Sequence, residues 1–172
     1  MSAEPRRFPI LVLVASAAVL GGAVLSQYWG GLAPCELCLL QRWPWAAAII
    51  ISLIAIMVGN RAVLPWVALL LAAVFAVGSA LALYHVGVEK HWFAGPNACT
   101  GDATAADTVA ALKARILAQM PVRCDEPAWT LWGTSLAGWN LLASLTAAGS
   151  CLAVYWRLRR PGGRAGMRRG IA

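Results

Sequence analysis

The sequence predicts an all-α membrane protein: a four-helix transmembrane bundle with two outer loops, the second carrying a short amphipathic surface helix. Composition is the first observation behind this. Of 172 residues, 60% are hydrophobic and only 12% charged, about half the charged share of an ordinary soluble domain. A soluble single-core protein and a disordered chain are both excluded on that ground. The second observation is the placement of apolar runs. Four stretches, at about 9–27, 43–59, 65–84 and 136–156, contain no Lys, Arg, Asp or Glu, and each has the roughly 17–25 residues that a helix needs to cross the hydrocarbon layer. A helix satisfies every backbone polar group internally, which lipid demands.

The third observation is where the basic residues fall. Short cytoplasmic flanks retain Lys and Arg. One arrangement of four spans puts Arg6, Arg7, Arg61 and the six arginines from Arg157 to Arg169 on one side. Arg42, Lys90, Lys113, Arg115 and Arg123 then face Glu36, Glu89, Asp102, Asp107, Asp125 and Glu126 on the other. Both termini are therefore expected in the cytoplasm. Residues 28–42 and 86–135 become the outer loops. The first span follows two arginines as a signal peptide would, but its apolar run is longer than a signal core, so it is read as a retained anchor. Trp29, Trp43, Trp45, Trp92, Trp129, Trp132 and Trp139 fall near the outer ends of spans, and Trp66 and Trp156 near the inner ends, where indoles settle at headgroup level. The chain thus divides into a membrane domain, 1–160, and a disordered basic tail, 161–172. Six of the fourteen Lys and Arg lie between Arg157 and Arg169, so the net charge of +7 reads as a solvated basic C-terminal stretch and not as a nucleic-acid-binding face.

The topology sorts the five cysteines. Cys35, Cys38, Cys99 and Cys124 fall in the outer loops, and Cys151 lies inside the fourth span, where it reads as a small apolar packing residue. Cys35 and Cys38 form a C-x-x-C, a spacing that closes a small disulfide ring and often lowers thiol pKa values. Pro34 precedes the pair and Arg42 follows Cys38 by one helical turn, so the motif sits near a helix start with a guanidinium positioned to hold a thiolate. Cys99 and Cys124, with 24 residues between them, read either as a structural staple or as a second exchanging pair. A four-cysteine zinc cage would need a second closely spaced pair, and no metal is expected. Between them, Thr104 and Asp107 resemble a capping box, and Val109, Leu112, Ile116 and Met120 recur at helical steps, which predicts the amphipathic surface helix.

Two outward cysteine pairs suggest a disulfide relay, since disulfides pass between pairs by thiolate attack. A relay needs an electron acceptor. No haem or iron–sulfur ligand set, Rossmann fingerprint or flavin loop is visible, which leaves lipid-soluble quinone, ubiquinone or menaquinone. Arg42 can donate to a quinone oxygen or merely snorkel to the interface. His85, at the outer end of the third span, can donate a hydrogen bond or proton to quinone or serve as a structural cap. His91 reads as a solvated loop residue.

These residues resemble a known family. C-E-L-C-L-L-Q-R-W entering the second span, Y-H-V-G-V-E with G-P-N-A-C after it, and R-C-D-E-P-A-W-T-L-W-G-T-S-L-A-G-W-N entering the fourth are similar to the DsbB family of bacterial inner-membrane disulfide-bond formation proteins. The resemblance runs from about Phe8 to Trp156. It implies a thiol:quinone oxidoreductase with both termini cytoplasmic and its active loops periplasmic. By analogy, a DsbA-like thioredoxin-fold oxidase attacks a Cys99–Cys124 disulfide and forms a mixed disulfide at Cys99. Cys124 then exchanges with Cys35, and Cys38 is left as the thiolate beside the quinone. Arg42 matches the family's quinone-site arginine, and His85 matches a second quinone-site position. Three rival readings remain: a related subfamily with one dedicated partner, a vitamin K epoxide reductase-like bundle, whose C-x-x-C falls later in the chain, and a non-catalytic scaffold with two inert bridges.

Overall fold

The computed structural model describes residues 4–96 and 122–160. The expected surface helix over 104–120, Cys99 and the tail all lie outside the described residues. Helix α1 spans Glu4–Tyr28, and a five-residue helix α2, Glu36–Leu40, leads through Gln41 into α3, Arg42–Val58. Helix α4 runs Leu64–Glu89. A two-stranded ribbon, β1 Thr130–Leu131 and β2 Thr134–Ser135, then precedes α5, Leu136–Arg159. Among the described residues, four helical segments are long and apolar enough to cross a membrane: 6–28, 36–58, 64–89 and 136–159. Each outruns its apolar core by a few residues, because a helix continues through flanking polar residues until a cap stops it.

The stops are local chemistry. Gly59 takes a left-handed conformation at φ 59° and donates to the Ala55 carbonyl, which ends α3. Pro65 opens α4, where a missing N–H costs nothing. At its far end, the N–H groups of Trp92 and Phe93 both fold back onto the Gly87 carbonyl. The Phe93 ring then lies over Gly87 and stacks on Tyr84 with centroids 5.9 Å apart. A Cβ at Gly87 would stand 2.3 Å from that ring, so only glycine admits the contact. The ribbon turns through Trp132 and Gly133, both at positive φ, the arrangement of a type I′ hairpin turn. Ser135 caps α5 by accepting from the Gly138 N–H.

The helices pack in the order α1, α3, α4, α5. The five residues 59–63 join α3 to α4, too few for anything but antiparallel neighbours. Small residues let the helices approach, as is usual where lipid gives no hydrophobic drive between them: Ala48, Ser52, Ala68, Ser79, Ala82 and Ser144 are all buried. Gly78 of α4 sits against Pro44 of α3 and Ser144 of α5, and a Cβ there would lie 3.1 Å from the Pro44 Cβ. The main core is Trp45, Ala48, Leu71, Ala72, Phe75 and Cys151, with the Trp45 and Phe75 rings tilted at 5.0 Å. Cys151 is buried there, as a packing residue would be. Large apolar side chains such as Leu11, Met57 and Val77 point outward, the reverse of a soluble protein.

One indole departs from the expected belt. Trp29, Trp43, Trp66, Trp92, Trp132 and Trp156 are exposed, but Trp45 is only 4% exposed. Trp45 lies one turn inside α3, and its N–H finds a buried partner, Asn140, at 2.8 Å. At the opposite end, the Arg159 guanidinium covers the Trp66 ring at 5.3 Å.

Overpacking at Gly78 tests this arrangement. Gly78→Leu should destabilise the bundle by about 1–3 kcal/mol or more. Gly21→Leu, at a glycine with nothing within 4 Å, should leave the detergent melting temperature unchanged. Equal melting temperatures for the two variants would contradict the packing described.

Candidate functional site

The site lies where α2, α3, α4 and α5 meet beneath the ribbon. Cys35 is the N-cap of α2: its Sγ accepts from the Cys38 backbone N–H at 3.3 Å. The C-x-x-C spacing also brings the Cys38 Sγ to 3.0 Å from the Cys35 Sγ, and both thiols are free. From α4, the His85 Nε2 lies 3.6 Å from the Cys35 Sγ and 3.9 Å from Glu89 Oε1 one turn on. Glu89 Oε2 in turn accepts from the Ser135 hydroxyl at 2.5 Å.

Three groups therefore converge on one sulfur: the Cys38 backbone N–H, the Cys38 thiol and the His85 ring. The Cys35 thiol is held at about 4, far below its ordinary value. The hydrogen bond from the Cys38 thiol is the main cause, and His85 and the Cys38 N–H add to it against the opposing effect of burial. The donor atoms of Cys35, Cys38 and His85 lie within 4.8 Å of one another, but a structural zinc site takes four ligands. Among the described residues only these three converge.

The two cysteines face different surroundings. Cys35 packs with Leu37, Val88 and Cys124 in a second buried cluster. Cys124 is fully buried and disulfide-bonded, and Cys99 is outside the described residues. Beside Cys124, Arg123 makes a two-pronged bond to Asp125 at 3.0 and 2.5 Å and so holds the Asp125 carboxyl below its usual range. Cys38 opens the other way, onto a cavity of about 460 Å³ between α1 and α5. Gln41, Arg42, Trp139 and Asn140 share that wall, and apolar side chains form most of the rest. The Arg42 guanidinium is anchored to α1, donating to Gln27 Oε1 at 2.8 Å and to the Ala23 carbonyl at 3.4 Å. His85 does not line the cavity. Its ring sits behind the C-x-x-C, in contact with Cys35 and Gln41.

Known proteins share this sequence over most of its length. The family model described as "Disulfide bond formation protein DsbB" matches residues 5–154. The chain belongs to the DsbB family. Its relatives include Disulfide bond formation protein B of Stutzerimonas stutzeri, 28% identical over 92% of this chain and 97% of that protein. Disulfide bond formation protein B 1 of Pseudomonas entomophila is 33% identical over 90% of this chain and 93% of that protein. The Cupriavidus metallidurans protein B is 31% identical over 83% and 87%. No solved structure matches. This DsbB-family chain is thus a multi-pass membrane protein of disulfide bond formation, built as a four-helix bundle.

Sequence reasoning missed four side chains here: Gln41, Trp45, Glu89 and Asn140. Asn140 carried a readable signal, since an amide in an otherwise apolar span needs a partner; Gln41, in the expected outer loop, gave none. Glu89 gave none, because a carboxylate at a span's end looks like any loop charge.

The reduced protein should show iodoacetamide labelling of Cys35 that persists to pH 5 and falls only as the pH drops through about 4, since the thiolate is the nucleophile. Cys38→Ala removes the main donor and should move that midpoint upward. Cys38→Ser keeps a hydroxyl donor and should move it less. An ordinary thiol midpoint in the wild type would refute the donor cluster.

Proposed function

We propose that this DsbB-family protein makes disulfides de novo, taking two electrons from a reduced DsbA-like thioredoxin-fold oxidase and delivering them to membrane quinone. The observation that carries the reading is the opposed placement of the two thiols. Cys35 packs against disulfide-bonded Cys124, and Cys38 opens onto an apolar cavity with Arg42 in its wall. A relay requires this division, because one sulfur must be reachable by the incoming pair and the other by the acceptor.

The cavity suits a quinone ring: apolar walls with a few polar groups, in a volume typical of small-molecule sites. Ubiquinone and menaquinone both fit this description. When bound, the quinone supplies the two-electron acceptor and leaves as quinol. The chain's own residues do the rest. The partner thiolate attacks the Cys99–Cys124 disulfide and bonds to Cys99, which frees Cys124 as a thiolate. Cys124 then attacks the Cys35 Sγ of an oxidised Cys35–Cys38 pair, and Cys38 leaves as a thiolate facing the cavity. Arg42 holds a cationic donor in that wall, where negative charge grows on a quinone oxygen. The partner's second thiol then attacks the partner sulfur bonded to Cys99, which closes the partner's own disulfide and frees Cys99 as a thiolate; Cys99 attacks Cys124, restoring Cys99–Cys124 and releasing Cys35, and Cys35 and Cys38 give up two electrons to the acceptor as they close again. Two electrons and two protons pass from the partner dithiol to quinone. The setting is the bacterial inner membrane, with both termini cytoplasmic and the loops periplasmic, as the arginine distribution favours.

Anaerobic turnover with a reduced DsbA-like oxidase and short-chain ubiquinone or menaquinone tests the proposal. Quinone absorbance should fall only when the partner is present, and Cys38→Ser should abolish the change. Arg42→Ala should raise the KM for quinone by about tenfold or more, the loss of one charge-assisted hydrogen bond, with partner affinity unchanged. Absence of turnover with both quinones, or full turnover in Cys38→Ser, would leave a disulfide-stapled scaffold in place of the relay.

A further inference from the structure

Behind the C-x-x-C, a hydrogen-bonded chain of side chains crosses three helices. Trp45 Nε1 of α3 donates to Asn140 Oδ1 of α5 at 2.8 Å. Asn140 Nδ2 donates to Gln41 Oε1 at the α2–α3 junction. Gln41 Nε2 meets His85 Nδ1 of α4 at 2.6 Å. His85 Nε2 then faces Cys35.

The direction of this chain is not free. An indole N–H can only donate, so Asn140 must present its oxygen to Trp45 and its amide nitrogen to Gln41. Gln41 must then present its oxygen to Asn140, since the reverse would set two NH₂ groups against each other. Its own NH₂ is left facing His85, whose Nδ1 can only accept. The imidazole proton is forced onto Nε2. We propose that Trp45, Asn140 and Gln41 are positioning residues that lock His85 as the Nε2–H tautomer, so that the ring donates to Cys35 and stabilises it as a thiolate.

In the relay this gives Cys35 a standing donor. The inference rests on the reading that Cys35 exchanges with Cys124 and Cys38, for then Cys35 is released as a thiolate and must attack again as one. A neutral imidazole donating through Nε2–H holds that charge without surrendering its proton, so each exchange remains a sulfur-for-sulfur displacement. The titratable groups facing His85 are Cys35 and Cys38 from α2 and Glu89 from its own helix, with disulfide-bonded Cys124 packed beyond Cys35. Glu89 is a competing acceptor for the same N–H, but its other oxygen is occupied by Ser135, and at 3.9 Å it stands farther from Nε2 than the sulfur does.

The test reads the tautomer directly. Imidazole nitrogen–proton correlation spectra would be recorded on the full-length, ¹⁵N-labelled, reduced protein in detergent, with His91→Gln removing the only other histidine. The expected result is a protonated Nε2 and a lone-pair Nδ1. Asn140→Asp keeps the shape but makes position 140 acceptor-only. Gln41 must then turn its NH₂ to Asp and its oxygen to His85, which inverts the tautomer. With no donor on Nε2, the Cys35 midpoint should rise by about one pH unit, so that its alkylation below the midpoint slows about tenfold. Trp45→Phe removes the donor that sets the direction and should give a mixture of tautomers. A protonated Nδ1 in the wild type would overturn the proposal whether or not either variant folds. An unchanged tautomer in folded Asn140→Asp would overturn it as well, as would an inverted tautomer with unaltered alkylation of Cys35. Neither readout needs quinone or partner, so failure here leaves the quinone relay standing, and failure of turnover leaves this lock standing.

Discussion

Inside an apolar bundle, a buried amide or imidazole needs its partner within the protein, and the cysteine end of this molecule is organised by that requirement. An unmatched amide or imidazole at this depth costs several kcal/mol, comparable to the whole contribution of a well-packed side chain. Trp45, Asn140, Gln41 and His85 meet that demand collectively, each supplying what the next lacks. The result ties α3, α4 and α5 together at the level of the cysteines. Farther from the membrane, Glu89 and Ser135 repeat the device, joining the end of α4 to the cap of α5. Rigidity is therefore concentrated where sulfur geometry matters.

The same packing leaves an opening elsewhere. α5 packs closely on α4, and α3 bridges α1 and α4, so α1 and α5 face each other across cavities instead of interlocking. One cavity begins at Cys38 and Arg42. A second, of about 620 Å³, continues along Phe8, Ser16, Phe75 and Cys151 toward the other end. Arg42, held to α1 by Gln27 and Ala23, is thus a wall of the opening and a strut across it. Separating Cys35 from Cys38 by burial alone would be difficult over one helical turn. The junction at Gln41 achieves it by letting Cys35 pack inward on Cys124 and Cys38 look toward the gap.

Much of the candidate site is legible in the sequence as residue identity. Cys35, Cys38, Arg42, His85 and Cys124 all sit at the same end of the bundle, as their positions relative to the apolar runs require. Their mutual orientation is not legible there. Spacing makes Arg42, one turn from Cys38, a thiolate partner, yet its guanidinium reaches across to α1. Depth puts His85 level with Cys38 and Arg42, yet depth says nothing about which side of α4 it occupies. α4 extends to Glu89, so His85 lies a turn inside the helix and faces Cys35.

What the sequence by itself determined is the architecture, four apolar helices in a bundle. Uncharged runs long enough to cross lipid, bounded by Pro65, Gly59 and Ser135, leave few alternatives, because backbone satisfaction in a membrane is a local property. Only tertiary structure decided the chemistry of each thiol. Whether Trp45 is an interfacial anchor or the origin of a hydrogen-bond chain depends on Asn140, 95 residues away, and whether His85 faces the cavity or Cys35 depends on a rotation about α4. Such long-range pairings obey no short sequence period, since they are set by how helices of similar apolar composition settle against one another.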